Sequence, residues 1–265
     1  ASGFRTEPFS LISAADRARL PENIVDAYPL SALQGGMVFH SERAIGSYLY
    51  QVAMSIHVKA KLDMTLLQRA VDRVVSRHPI LRTSFDLGSF SEPMQLVHKE
   101  ARTIIQYHDI TGSPAARQKE ILAKWIDDEV EYVFDWRKPP LLTYTVHKRS
   151  DETFQFGITF HDAILDGWST SNMMTEIFDR YVTMLNGGED TADAPNPITY
   201  RDFVTLERST MTDPAAREFW TNLMGDAPFT PIPRLPGVGR DVRVPRNLDV
   251  IVPIPHEINR QVEEH

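Results

Sequence analysis

His161, Asp162 and Asp166 fall within six residues of one another, in the stretch FHDAILDGW. An imidazole titrates near neutral pH without tuning, so His161 is a candidate general base. Asp166, an acid a few residues on, can fix the imidazole's tautomer, or it can pair with an arginine and hold the turn. Equally, both groups can simply hydrogen-bond the turn, because clustered ionisable residues are often structural. Asp162 is the puzzle. A solvated aspartate titrates near about 3.9, so at neutral pH it is a carboxylate and a feeble base. The same three residues are potential metal ligands, but no second cluster of His or carboxylates at helical spacing accompanies them, which argues against a metal. The remaining histidines (40, 57, 78, 98, 108, 147, 256 and 265) are scattered and are read as structural.

Something must hold that turn. Before it, Phe154, Phe156, Ile158 and Phe160 alternate with Gln155, Gly157 and Thr159, the period of a strand. After it, apolar residues at 173, 174, 177, 178, 181, 182 and 185 mark a helix that Gly187-Gly188 ends. Strand, polar turn and helix together place side chains at the rim of a sheet. Leu141–His147 predicts a partner strand, joined through Lys148–Asp151 as a hairpin. Tyr50–Val58 predicts another strand. Asp63 is placed to cap a helix over Met64–Ser76, which Pro79 ends before Ile80–Phe85 leaves as a strand. Met94–His98 and Ile104–His108 read as short neighbouring strands, and Pro114–Phe134 as a long amphipathic helix with Asp127, Asp128 and Glu129 on its wet side. Ser31 caps a helix whose Leu33, Met37 and Val38 face inward. Residues 1–25 read as a docked linker that includes a short helix stopped by Pro21. Tyr200–Glu207 and Pro214–Met224 read as helices, Pro228–Pro236 as an extended crossing, Val242–Val252 as a strand, and His256–His265 as the start of a helix.

Bulk properties narrow the class. Over 265 residues, 42% hydrophobic and 24% charged content is that of an ordinary water-soluble protein. A formal charge of -8 opposes nucleic acid as the main partner. The absence of Cys excludes disulfides, thiolate metal sites and a Cys nucleophile. Without a long apolar run or a signal peptide, the expected location is the cytoplasm, with no membrane partner. A start at Ala1 without Met is what a piece of a longer polypeptide would show.

Three segments together resemble one family. Tyr28–Met37, YPLSALQGGM, resembles the opening motif of the condensation domains of nonribosomal peptide synthetases. Arg77–Phe85, RHPILRTSF, resembles their second motif, RHxxLRTxF, and His161–Gly167 resembles their active-site motif, HHxxxDG, followed here by Trp168. Tyr200–Phe203 is a weaker echo of a fourth motif. The resemblance covers essentially the whole chain and implies an α/β fold: a chloramphenicol acetyltransferase-like lobe with a central mixed sheet flanked by helices, the first half of a two-lobed, V-shaped domain. It further implies a division into a linker from a preceding carrier domain (1–25), an N-terminal lobe (26–190), crossover helices with a Pro-rich linker (191–240) and the start of a C-terminal lobe (241–265).

The implied activity is amide formation. Upstream donor and downstream acceptor carrier proteins bring substrates as thioesters on phosphopantetheine arms, next to an adenylation domain; the condensation domain itself binds no cofactor. By the resemblance, His161 is mainly structural, Asp166 and Gly167 shape the turn, and Arg77 and Arg82 are the family's two arginines, one of them expected to pair with a buried Asp166. The second His, which contacts the attacking amine, maps to Asp162. Three explanations of that departure compete: a natural variant with altered chemistry, a domain kept only to recruit carriers or other partners, or an engineered substitution. The intact flanking residues favour the last. Cyclisation domains replace the first His, which is present here, and epimerisation domains have a less similar opening motif. Membrane glycerolipid acyltransferases share H-x4-D but leave Arg77–Phe85 unexplained.

Overall fold

The computed structural model describes residues 5–43, 48–191, 198–228 and 252–263. The chain divides into two compact units, Ala1–Asn222 and Leu223–His265.

The first unit is built on two sheets. Strands β1 (Ile24–Pro29), β3 (Thr83–Asp86) and β4 (Met94–His98) form an antiparallel three-stranded sheet in the order β1-β4-β3. Strands β2 (Gln51–Val58), β5 (Ile105–Asp109), β6 (Leu142–Lys148) and β7 (Phe154–His161) form a mixed sheet in the order β2-β7-β6-β5, with β5 parallel to β6 and the other pairs antiparallel. The expected β6–β7 hairpin therefore forms. The pairing expected between β4 and β5 does not: the two strands lie in different sheets.

Alternation divides the mixed sheet into unlike faces. Val52, Met54, Ile56 and Val58 on β2, the phenylalanines and Ile158 on β7, and Leu142, Tyr144 and Val146 on β6 join the main core with α3 (Met64–Arg77) and α5 (Gly167–Leu185). Asp63 caps α3 as its spacing predicts, accepting from the Thr65 and Leu66 N–H groups at 3.0 Å. The left-handed backbone at Gly187 (φ +80°), which suits a residue without Cβ, follows α5. The opposite face carries His161, Thr159, Gly157 and Gln155 on β7 and Thr143, Thr145 and His147 on β6, and is covered by α4 (Ala115–Val130). Gly157 admits this cover: an added Cβ would lie 2.3 Å from the Trp125 indole.

Several sequence expectations need correction. The short helix expected before Pro21 forms as α1 (Ala14–Arg17), but the sequence did not predict β1, whose Ile24 and Ala27 are core residues. A 3-10 turn, Pro79–Arg82, precedes β3, because Pro79 presets the first turn. In α2 (Ala32–Arg43), Leu33 is 67% exposed and the inward position is taken by Gln34. Arg201 and Asp202, at the start of α6 (Tyr200–Met211), are buried against Thr6 and Asp26. Helix α7 (Pro214–Met224) follows the expected bounds.

The second unit contains α8 (His256–Glu263), as the sequence predicts. Residues 242–251 of the expected Val242–Val252 strand and nearly all of the Pro228–Pro236 crossing lie outside the described residues. Among the described residues, no helix is long and apolar enough to cross a membrane, and no cluster of carboxylates and histidines is placed to hold a metal ion.

Candidate active site

Strand β7 ends at His161, and the chain turns through Asp162–Asp166 into α5. The turn is tied from three sides. Asp162 N–H donates to the Tyr50 carbonyl at 2.8 Å, and Tyr50 itself sits at φ +65°, a strained conformation for a non-glycine residue. Gln34 Nε2 donates to the Ala163 carbonyl at 2.9 Å and exchanges hydrogen bonds with Gln95. Gln34 is also the partner of Ser31 in a reciprocal cap: Gln34 N–H donates to Ser31 Oγ and Ser31 N–H to Gln34 Oε1. The opening motif thus reaches the turn through a glutamine.

His161 is 3% exposed, with the Trp136 ring edge-on at 4.7 Å. Ala163 N–H donates to its Nδ1 at 3.0 Å, so Nδ1 is the acceptor nitrogen and the proton of the neutral ring sits on Nε2. Nε2–H then donates to Ser41 Oγ at 3.0 Å, and the Ser41 hydroxyl donates in turn to the Met37 carbonyl at 2.9 Å. Burial presses the imidazole down to about 4. Both imidazole nitrogens are thus engaged in hydrogen bonds within the protein.

Asp162 stands in contrast. Its side chain is half-buried, burial pushes its carboxyl above the ordinary value, and among the described residues the carboxylate has no hydrogen bond or ion pair. A half-buried carboxyl without a partner makes Asp162 a candidate for function and not an established site.

The ion pair expected at Asp166 is absent from the described contacts. Asp166 is exposed and caps α5, accepting from the Ser169 N–H at 2.7 Å, which holds its carboxyl below the usual range. A backbone donor with solvent at hand satisfies a carboxylate without the desolvation that burial beside a guanidinium demands. Arg77 donates instead to Glu176 at 2.9 Å, and His78 shares that carboxylate at 2.7 Å. Arg82 turns to the carbonyls of His98 and Lys99. The RHxxLR segment therefore fastens α5 and the end of β4. Gly167 opens α5 with free space where a Cβ would stand, and Trp168 is 81% exposed. The sequence did not single out Ser41, Gln34, Gln95 or Trp136. Only the Ser31-x-x-Gln34 spacing carried a readable signal, that of a capping box.

Comparison with known proteins fits this geometry. Residues 24–244 match the family model described as Condensation domain. The AMB antimetabolite synthetase AmbE of Pseudomonas aeruginosa is 36% identical over 86% of this chain, which spans 11% of that protein. A linear gramicidin synthase of Brevibacillus parabrevis is 32% identical over 84% of the chain, which spans 3% of it. Among solved structures, the starter condensation domain of the rhizomide synthetase superposes with a TM-score of 0.65 at 16% identity, over 78% of this chain and 51% of that one. The first condensation domain of the calcium-dependent antibiotic synthetase, in complex with a substrate analogue, gives 0.66 at 15%, over 78% and 50%. The fold is that of an α/β condensation-domain lobe, a mixed sheet flanked by helices. The chain belongs to the condensation-domain family, of whose solved members it spans about half.

Proposed function

We propose that this chain is the N-terminal part of a domain that forms an amide bond in nonribosomal peptide synthesis, in the cytoplasm. Residues 26–190 are its first lobe, 191–240 the crossover and 241–265 the start of the second lobe. The donor is an acyl or peptidyl thioester and the acceptor an aminoacyl thioester, each on the phosphopantetheine arm of a carrier protein, with an adenylation domain beside them. The acceptor nitrogen attacks the thioester carbon, the C–N bond forms, the C–S bond breaks, and the amine's proton ends on the departing sulfur. Tethering both partners supplies much of the rate through effective concentration.

The observation that carries this reading is the division of labour in the turn: His161 has both nitrogens engaged, while the unpartnered carboxyl of Asp162 is left to meet the amine. An anion there favours the ammonium form of the acceptor, which cannot attack. The Asp162 form is therefore slow. Single-turnover dipeptide formation on loaded carriers, with the complete domain, tests this. Asp162→His is expected to raise the rate by about 10²–10⁴-fold, the range of general-base assistance. Equal rates would remove proton acceptance at 162 from the mechanism. Carrier binding without turnover in either form would support the second reading, a partner-recruiting module of the same fold, for which the carboxylate at 162 is the motivating feature.

A further inference from the structure

Two helices far apart in sequence, α2 and α6, are joined by polar side chains. Tyr200, the first residue of α6, hydrogen-bonds through its hydroxyl to Ser31 Oγ at 3.1 Å. Glu207, further along the same helix, accepts from the Ala32 N–H at 3.0 and 3.2 Å. Ala32 opens α2, so the Glu207 carboxylate meets one of the orphan donors at that helix's positive end. Burial raises the Tyr200 hydroxyl above its ordinary pKa, and the charges of Glu207 and Asp166 raise it further, so it remains a neutral phenol. The influence of Asp166 also places that hydroxyl within electrostatic reach of the turn before α5.

From Ser31 the link runs inward. Ser31, Gln34 and Gln95 are all buried. Gln34 closes the cap on Ser31 with both its backbone and its side chain, and its Nε2 reaches the Ala163 carbonyl at 2.9 Å. Gln95 exchanges hydrogen bonds with the Gln34 amide and donates as well to the Pro29 carbonyl at 3.2 Å. A glutamine here costs desolvation that an apolar residue would not, but its donors and acceptors are all met. Such a network holds its parts in one arrangement, where apolar contacts alone permit several. Val204, buried against Tyr28 and Val97, already secures α6 to the first sheet. Tyr200 and Glu207 add direction to that hold, and what they direct is the peptide next to Asp162.

We propose that Tyr200 and Glu207 are positioning residues for the active turn. They fix the start of α2, and through Gln34 they fix Ala163 and with it the carboxyl of Asp162. This rests on the reading of that turn as the site of amide formation. Neither side chain needs to touch a substrate. A misplacement of about 1 Å at the reacting group can cost about 10²-fold in rate, so a hydrogen bond two links away has leverage on the chemistry.

The test compares variants of the complete domain. Tyr200→Phe removes only the hydroxyl and Glu207→Met the acceptor, whereas Glu207→Gln keeps an acceptor oxygen. Val204→Ala loosens the same helix without touching the polar link. Hydrogen exchange of the Ala163 N–H, which donates to His161 Nδ1, reports on the turn without any substrate. It is measured against the slowest core amides, which track global stability. On that scale it is expected to quicken about five- to tenfold in Tyr200→Phe and Glu207→Met, the worth of one hydrogen bond. Glu207→Gln and Val204→Ala should leave it at the wild-type value. Single-turnover amide formation on saturating loaded carriers should slow by the same factor in the first two variants, at unchanged half-saturation. Ala163 exchange at the wild-type value in both, or equally quickened by Val204→Ala, would overturn the proposal. So would wild-type turnover in both. A wild type that forms no amide would defeat the condensation reading alone, and Ala163 exchange would still decide the positioning.

Discussion

The N–H of Ala163 donates to Nδ1 of His161 at 3.0 Å, and that bond separates the roles of the two neighbouring residues in the turn. It puts the ring proton on Nε2 and aims it at Ser41, so both nitrogens are engaged within the protein. His161→Ala should therefore act on stability first. It removes a buried ring packed against Trp136 and strands the partners of both nitrogens, at a cost of about 2–5 kcal/mol. Urea denaturation measures this. A variant with unchanged stability and abolished turnover would place the imidazole in the chemistry instead.

Asp162 should behave in the opposite way. Burial raises its folded pKa, so above that value the charged carboxylate disfavours the folded state, and the penalty is relieved as pH falls through it. Asp162→Asn is expected to raise Tm at pH 7, with the gain shrinking toward pH 4. A loss of Tm at pH 7 would mean that the carboxylate has a stabilising partner.

His161 and His147 are both pressed down to about 4, and burial is the main cause for each. In the unfolded chain they titrate near about 6.5, so between the two values the unfolded state binds more protons. Their contribution is complete above about pH 6.5 and is lost as pH falls toward 4, on the order of 3 kcal/mol for one such group. Urea midpoints should fall over that window, and His147→Gln should flatten the slope. An unchanged slope in that variant would show that His147 is hydrated and titrates normally.

Much of this fold was legible because strong periodicities coincide with it. The alternation of Phe154–Phe160 and the helical stripe after Met173 survive as β7 and α5. Alternation shows that two faces differ, but not that the polar one is wet. Here α4 covers Gln155, Gly157 and Thr159, a tertiary fact visible only in the fit of Trp125 over Gly157. Strand β1 was missed for a related reason. Asp26 and Pro29 depress strand propensity, and what makes Asp26 tolerable in a core strand is Arg201, far along the chain. At the site, the sequence located the turn and singled out position 162. It misjudged Asp166, because a short carboxylate before a helix can cap it as well as pair with an arginine.

The Arg201–Asp26 pair gives the last prediction. Arg201 is 6% exposed; one arm of its guanidinium holds Asp26, and its Nε–H donates to Thr6 Oγ1 at 3.0 Å. Asp202 beside it accepts from the Thr6 N–H at 2.9 Å, so the start of α6 grips both β1 and the segment before it. Burial raises the Asp26 carboxyl even against the pull of the arginine, so desolvation is the larger effect. Removing one partner leaves the other charge buried and uncompensated. Arg201→Met is therefore expected to cost about 3–5 kcal/mol, whereas Arg201→Met with Asp26→Asn should recover much of that loss, because a neutral pair has no ion to strand. Guanidinium denaturation of the single and double variants gives the coupling directly. If the two substitutions add without recovery, the pair is screened by solvent and is not what secures the N-terminal segment to α6.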